Sequence, residues 1–153
     1  SLFLTFVICG SVVLASLLFL SLGNFLAGQP QLGRVFYAPF DVIFTRWDVV
    51  APDLLVIAGD QLDILTTKNV QGAPAIVVEI LSPGNTAAEM RLKMEDYFAA
   101  GCRVMWIVDP LRRSVVVHRP GTGPLMLTED DTLTEEGLLP GFSLAVREIF
   151  PPA

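Results

Sequence analysis

The chain has 153 residues, 52% of them hydrophobic, and a formal net charge of −6. That length suits one domain, able to bury about two thirds of its unfolded surface in a single core. The negative balance provides no overall field to attract a polyanion, so nucleic-acid contact would need a local basic patch.

The apolar excess is concentrated at the start. Ser1 to Gly33 carry no charged side chain, and Arg34 is the first. As a helix, Leu2 to Leu22 would extend roughly 30 Å at about 1.5 Å per residue, enough to cross a hydrocarbon core. A membrane anchor is therefore one expectation. Against it, no Lys or Arg precedes the segment, Thr5, Gly10, Ser11, Ser16 and Ser21 dilute its apolarity, and no cleavage site of a signal peptide stands out. Leu14, Leu17, Leu18, Leu22, Phe25 and Leu26 recur at helical spacing, which favours a helix packed on a sheet. Beginning on Ser1 rather than Met, the chain also admits a truncated start.

From Arg34 the period changes. Arg34–Phe44 and Val49–Ala58 are rich in Val, Ile and Phe and predict two adjacent strands, a hairpin broken at Thr45–Asp48. Asp60–Thr67 reads as a short helix or loop, and Gly72 and Pro74 mark a connection. Ile76–Leu81 predicts a central strand covered on both faces, interrupted only by Glu79.

Thr86 with Glu89 three residues later is a capping-box signature for a helix to Ala100, closed by Gly101. Its stripe is Ala87, Met90, Met94, Tyr97 and Phe98, with Lys93 at the border. Arg103–Asp109 and Ser114–Arg119 predict two more strands, and Leu125–Thr128 a last one. Phe142–Phe150 is expected to close the core. Cys9 and Cys102 lack metal spacing and read as free thiols in a reducing cytosol. His118, the sole histidine, is placed on an edge strand and solvated. The order implies an α/β (α+β) domain with a mixed central sheet flanked by helices, residues 1–28 forming an N-terminal helix and 29–153 the globular part.

Three charges stand out against this apolar background: Asp53 after Pro52, Glu79 inside its strand, and Lys93. A buried charge is costly without a partner. A hard cation such as Mg²⁺ takes one or two protein carboxylates and leaves positions for water and phosphate oxygens. Two acids and a lysine thus suit metal-assisted hydrolysis of a phosphodiester. The plain alternative is structural, with Asp53 capping the start of a strand and Glu79 paired with Lys93. Lys93 is also placed to bridge Glu89 one turn away, a pair worth only a few tenths of a kcal/mol. Arg112 and Arg113, the only tight basic pair, read as a turn tip.

The order Pro52-Asp53, Val77-Val78-Glu79-Ile80-Leu81-Ser82-Pro83, Asn85 to Met90 leading to Lys93, Tyr97 and Gly101, then Trp106-Ile107-Val108-Asp109-Pro110 resembles the Uma-two family of restriction endonucleases, within the PD-(D/E)XK nuclease superfamily. The likeness continues through Leu127–Asp131 and Leu139–Phe142 to Phe150, so it covers about residues 33 to 150. The resemblance implies a restriction-endonuclease-like core and Mg²⁺ (or Mn²⁺)-dependent hydrolysis of DNA. By position, Asp53 and Glu79 would bind metal, joined by the backbone carbonyl of Ile80. Leu81 stands where the superfamily has its usual lysine, and Lys93 on the following helix would take that role. Cutting both strands would call for a homodimer. One departure is clear: the glutamate-bearing first segment of the family has no counterpart in Ser1–Gly28. That departure opens a second expectation, an inactive nuclease-fold remnant serving as a binding or membrane-tethered module.

Overall fold

The structure, a computed structural model, describes residues 2–44 and 49–152, with side chains described from residue 13 onward. The hairpin break predicted at Thr45–Asp48 and the side chain of Cys9 lie outside these residues. The elements, in chain order, are α1 (Leu2–Ala27), β1 (Gly33–Tyr37), β2 (Val42–Ile43), β3 (Val49–Val50), β4 (Leu54–Ala58), β5 (Val70–Gln71) and β6 (Ile76–Ile80). They continue with α2 (Ala87–Ala99), β7 (Val104–Asp109), β8 (Ser114–His118), β9 (Leu125–Leu127), β10 (Thr132–Glu135) and β11 (Leu139–Ala145).

The main sheet has six strands in the order β1-β4-β6-β7-β8-β9. It is mixed: β6 and β7 are parallel, joined through α2, and the other neighbours are antiparallel. A parallel neighbour needs a crossover, and α2 supplies it. The expected hairpin from Arg34 to Ala58 holds as β1 against β4, but the chain between them forms β2 and β3. Pro39 and Pro52 have no N–H for a ladder, which helps end each long strand early. The short β2 pairs with β3 and β5 in a separate three-stranded sheet.

Alternation along the strands sorts side chains to two faces. On one face, Leu54 and Val56 of β4, Ile76, Val78 and Ile80 of β6, and Trp106 and Val108 of β7 pack with Leu14, Leu18, Leu22 and Leu26 of α1. These four leucines recur every fourth residue and are at most 4% exposed, matching the spacing read from the sequence. Among the described residues, no helix is long and apolar enough to cross a membrane. On the other face, Val77 and Met105 pack with Met90 and Tyr97 of α2 and with Cys102, while Leu55 and Ile57 pack against the small sheet. Cys102 is a buried free thiol, as expected.

The capping box predicted at Thr86 forms in both directions: Glu89 N–H donates to the Thr86 hydroxyl, and Thr86 N–H to the Glu89 carboxylate. Gly101 follows α2 at φ +107, a conformation glycine adopts without strain. Gly33 opens β1 for a different reason, because a Cβ there would collide with the Ile57 carbonyl across the strand pair.

Two expectations are corrected. β8 is not an edge, since β9 covers it, and His118 is half-buried, with burial pushing its pKa down. The last strand is not β9 but β11, which pairs with β10 as a two-stranded sheet. The closing segment does pack as expected: Phe142, Leu144, Val146, Ile149 and Phe150 join the α1-side core.

Candidate functional site

Glu79 lies on the α2 face of β6, the central strand of the sheet, and is 6% exposed. Strand alternation forces it there: Val77 and Glu79 face α2, while Ile76, Val78 and Ile80 face α1. An ionised carboxylate so buried requires partners. Lys93 Nζ stands 3.4 Å from Glu79 Oε1, and the Tyr97 hydroxyl donates to the same oxygen at 3.4 Å. Lys93 and Tyr97 are four residues apart on α2, so one helical face delivers both. The ring of Tyr97 is 1% exposed and sits edge-on to Phe44 at 5.5 Å.

Asp53 immediately precedes β4. The β4–β6 register pairs Leu54 with Val78, and one further step sets Asp53 across from Glu79. Asp53 completes the ladder on both sides of β4. Its carbonyl accepts from Ala38 N–H after β1. On the other side its carboxylate Oδ2 accepts the Ile80 N–H at 2.7 Å, in place of a backbone carbonyl. The structure thus brings Asp53, Glu79, Ile80 and Lys93 together. Lys93 reaches Glu79 rather than Glu89, whose carboxylate is committed to the cap.

The electrostatics follow from the burial. Desolvation pushes the Glu79 carboxyl up to about 7, with the nearby Asp53 charge adding to the rise. Lys93 and the Tyr97 hydroxyl oppose it. Burial and the adjacent Glu79 drive the Tyr97 phenol well above its ordinary range, so it stays protonated and donates. Both donors engage Oε1. The bond to Ile80 engages Asp53 Oδ2.

Among the described residues, no three His, Cys, Asp or Glu side chains come together. Two carboxylates on adjacent strands fit a hard divalent cation, which takes one or two protein carboxylates and fills its remaining positions with water or phosphate oxygen.

Tyr97 is the residue that the sequence did not single out for the site. Its place on an apolar stripe reads as core, and its ring is core. The available signal was the four-residue spacing from Lys93.

A cleft of about 560 Å³ opens beside Asp53, between α1 and the end of β1, with Phe19, Leu20 and Tyr37 among its walls. α1 brings no carboxylate to it: its contributions are Ala15, Ser16, Phe19 and Leu20.

The family model described as "Uma2: Putative restriction endonuclease" matches residues 11–147. The chain belongs to the Uma2 family. A crystal structure described as a putative nuclease belonging to DUF820, from Anabaena variabilis ATCC 29413, is similar with a TM-score of 0.79 and 18% sequence identity. The match covers 92% of this chain and 80% of that one. At that identity the likeness speaks for the fold, and the Uma2 chain here shares it. No curated protein matches this chain.

Proposed function

We propose that this Uma2 chain is a divalent-metal-dependent endonuclease that hydrolyses DNA phosphodiester bonds at the Asp53–Glu79–Lys93 site. The observation that carries the proposal is the convergence of Asp53, Glu79 and Lys93, from the start of β4, from β6 and from α2, around the buried Glu79 carboxylate, in a chain of a restriction-endonuclease family.

Asp53 Oδ1, Glu79 Oε2 and the Ile80 carbonyl are the candidate metal ligands. In an extended strand the N–H and C=O of one residue project toward the same neighbour. The Ile80 N–H bond to Asp53 therefore supports a carbonyl on the same side. When bound, Mg²⁺ or Mn²⁺ would acidify a water and offset charge on the phosphate. Lys93, 41% exposed at its side chain, has an ammonium that reaches both Glu79 and solvent. It would orient the attacking water and stabilise the extra negative charge as the P–O bond breaks. Tyr97 and Lys93 hold Glu79 by one oxygen, leaving the other to face a ligand.

A second reading, a nuclease-fold remnant in which Glu79 and Lys93 form only a structural ion pair, is favoured by the absence of a carboxylate on the α1 wall. Plasmid nicking separates the two. Wild-type protein is expected to nick in Mg²⁺ or Mn²⁺ and stop with chelator. Glu79→Ala is expected to lose at least about a hundredfold in rate while keeping its circular dichroism spectrum, in line with the loss of a charge-stabilising group. Nicking that survives in Glu79→Ala would refute the assignment.

A further inference from the structure

We propose that the cleft between α1 and β1 holds an unpaired base of the substrate DNA, stacked on Tyr37, so that the preferred substrate is single-stranded or locally melted. This rests on the nuclease reading for its choice of ligand and on separate observations for its content.

The first observation is the shape and lining of the cleft. Its volume of about 560 Å³ falls within the range of small-ligand sites. Phe19 and Tyr37 stand edge to face with centroids 4.9 Å apart, and Tyr37 is 60% exposed. An aromatic ring left that open on a sheet end has a face available for stacking. A second depression shares Phe19 and Tyr37 and runs on to Phe36 and Phe40, whose rings stack at 4.6 Å. Phe36 and Phe40 are partly buried against the small sheet, which leaves Tyr37 as the open ring.

The second observation fixes the occupant by position. Asp53 lines the cleft, and its carboxylate also belongs to the Glu79 site. A group in the cleft lies next to the scissile phosphate, and the neighbour of a phosphate in a DNA strand is a nucleoside.

The third observation concerns charge. Duplex binding draws most of its affinity from Lys and Arg neutralising phosphates. Here Arg91, Arg103, Arg112, Arg113, Arg119 and Arg147 each pair with an acid, and Lys93 pairs with Glu79. Among the described residues, only Arg34 and Lys68 have no acidic partner. Arg34 is further engaged by the carbonyls of Pro30 and Gly33. With a net charge of −6, the described residues offer few unpaired cations to a duplex backbone. Base stacking on aromatic rings is the contact that single strands offer and intact duplexes withhold.

The test is fluorescence anisotropy of a labelled thymidine oligonucleotide, alone and annealed to its complement, with the full chain in Ca²⁺. The single strand is expected to bind at least roughly tenfold tighter than the duplex. Its log K against log salt slope should be shallow, about −1 to −1.5, as two cations without acidic partners allow. Tyr37→Ala is expected to lose roughly tenfold or more in affinity, the scale of one base stack, and Tyr37→Phe to retain it. Equal or tighter duplex binding, or no effect of Tyr37→Ala, overturns the proposal. So does a Tyr37→Ala protein that changes from dimer to monomer in sedimentation, because the cleft would then seat a second copy. The Glu79→Ala nicking result is read separately. Tyr37-dependent binding without nicking leaves the cleft standing and removes the nuclease reading, whereas nicking without Tyr37 dependence does the reverse.

Discussion

The two faces of the central sheet use the same strands to different ends. Toward α1, β4, β6 and β7 present only apolar side chains, and the helix answers with four leucines. Toward α2, the same β6 presents a glutamate, and the helix answers with Lys93 and Tyr97. A strand accepts a charge on one face when the element covering that face provides partners for it. The α1 face is built for burial, and the α2 face gives up some burial to a charged cluster.

The comparison breaks first at Leu18, which is fully buried under the sheet. Leu18→Ala is expected to destabilise the protein by about 2–5 kcal/mol, the cost of a buried leucine and its cavity. Urea unfolding would measure it. The Glu79 titration should stay near its wild-type position, since the sheet separates the two residues. A large shift in that titration would show that the faces are coupled rather than independent.

The opposite face is expected to respond to pH. The Glu79 carboxyl lies at about 7 in the folded protein against 4.5 as its ordinary value. Between those values the folded state holds a proton that the unfolded state has released, so stability falls as pH rises. The contribution is fully present below about 4.5 and lost above about 7, a change on the order of 3 kcal/mol without metal. Glu79→Gln cannot ionise. Melts at pH 5 and pH 8 should therefore differ less for Glu79→Gln than for wild type, with the variant the more stable of the two at pH 8. Added Mg²⁺ should narrow the difference for wild type only, by favouring its ionised form.

What the sequence made visible follows the same division. A charge in an apolar run, a capping box and leucines at every fourth residue are local signals, and β6, α2 and α1 stood where those signals put them. Asp53, Glu79 and Lys93 stood out in the sequence because each is a polar exception in its surroundings. Tyr97 was not, because its ring satisfies the apolar stripe and only its hydroxyl leaves it. β10 and β11 were missed because their pattern is mixed with polar and turn residues: Thr132, Thr134, Pro140 and Gly141 interrupt the buried Leu133, Leu139, Phe142 and Leu144. His118 reads as an edge residue in the sequence because β9, the strand that covers β8, is three residues long with Leu125 and Met126 exposed.

The smallest expected effect tests the finest part of the comparison, the sharing of Glu79 Oε1 by two groups on one helix. Tyr97→Phe keeps the ring that packs against Phe44 and Val77 and removes only the hydroxyl. The lost hydrogen bond is worth about 1 kcal/mol, and the 3.4 Å separation argues for the lower part of the usual range. Because that bond holds the Glu79 pKa down, its removal should move the acid limb of the nicking rate upward in pH by less than about one unit. Lys93→Met removes the larger of the two opposing influences, so its shift should run in the same direction and be greater. If Tyr97→Phe lowers the rate equally at every pH, the hydroxyl acts on something other than the Glu79 proton. The α2 face would then hold its carboxylate through Lys93 alone.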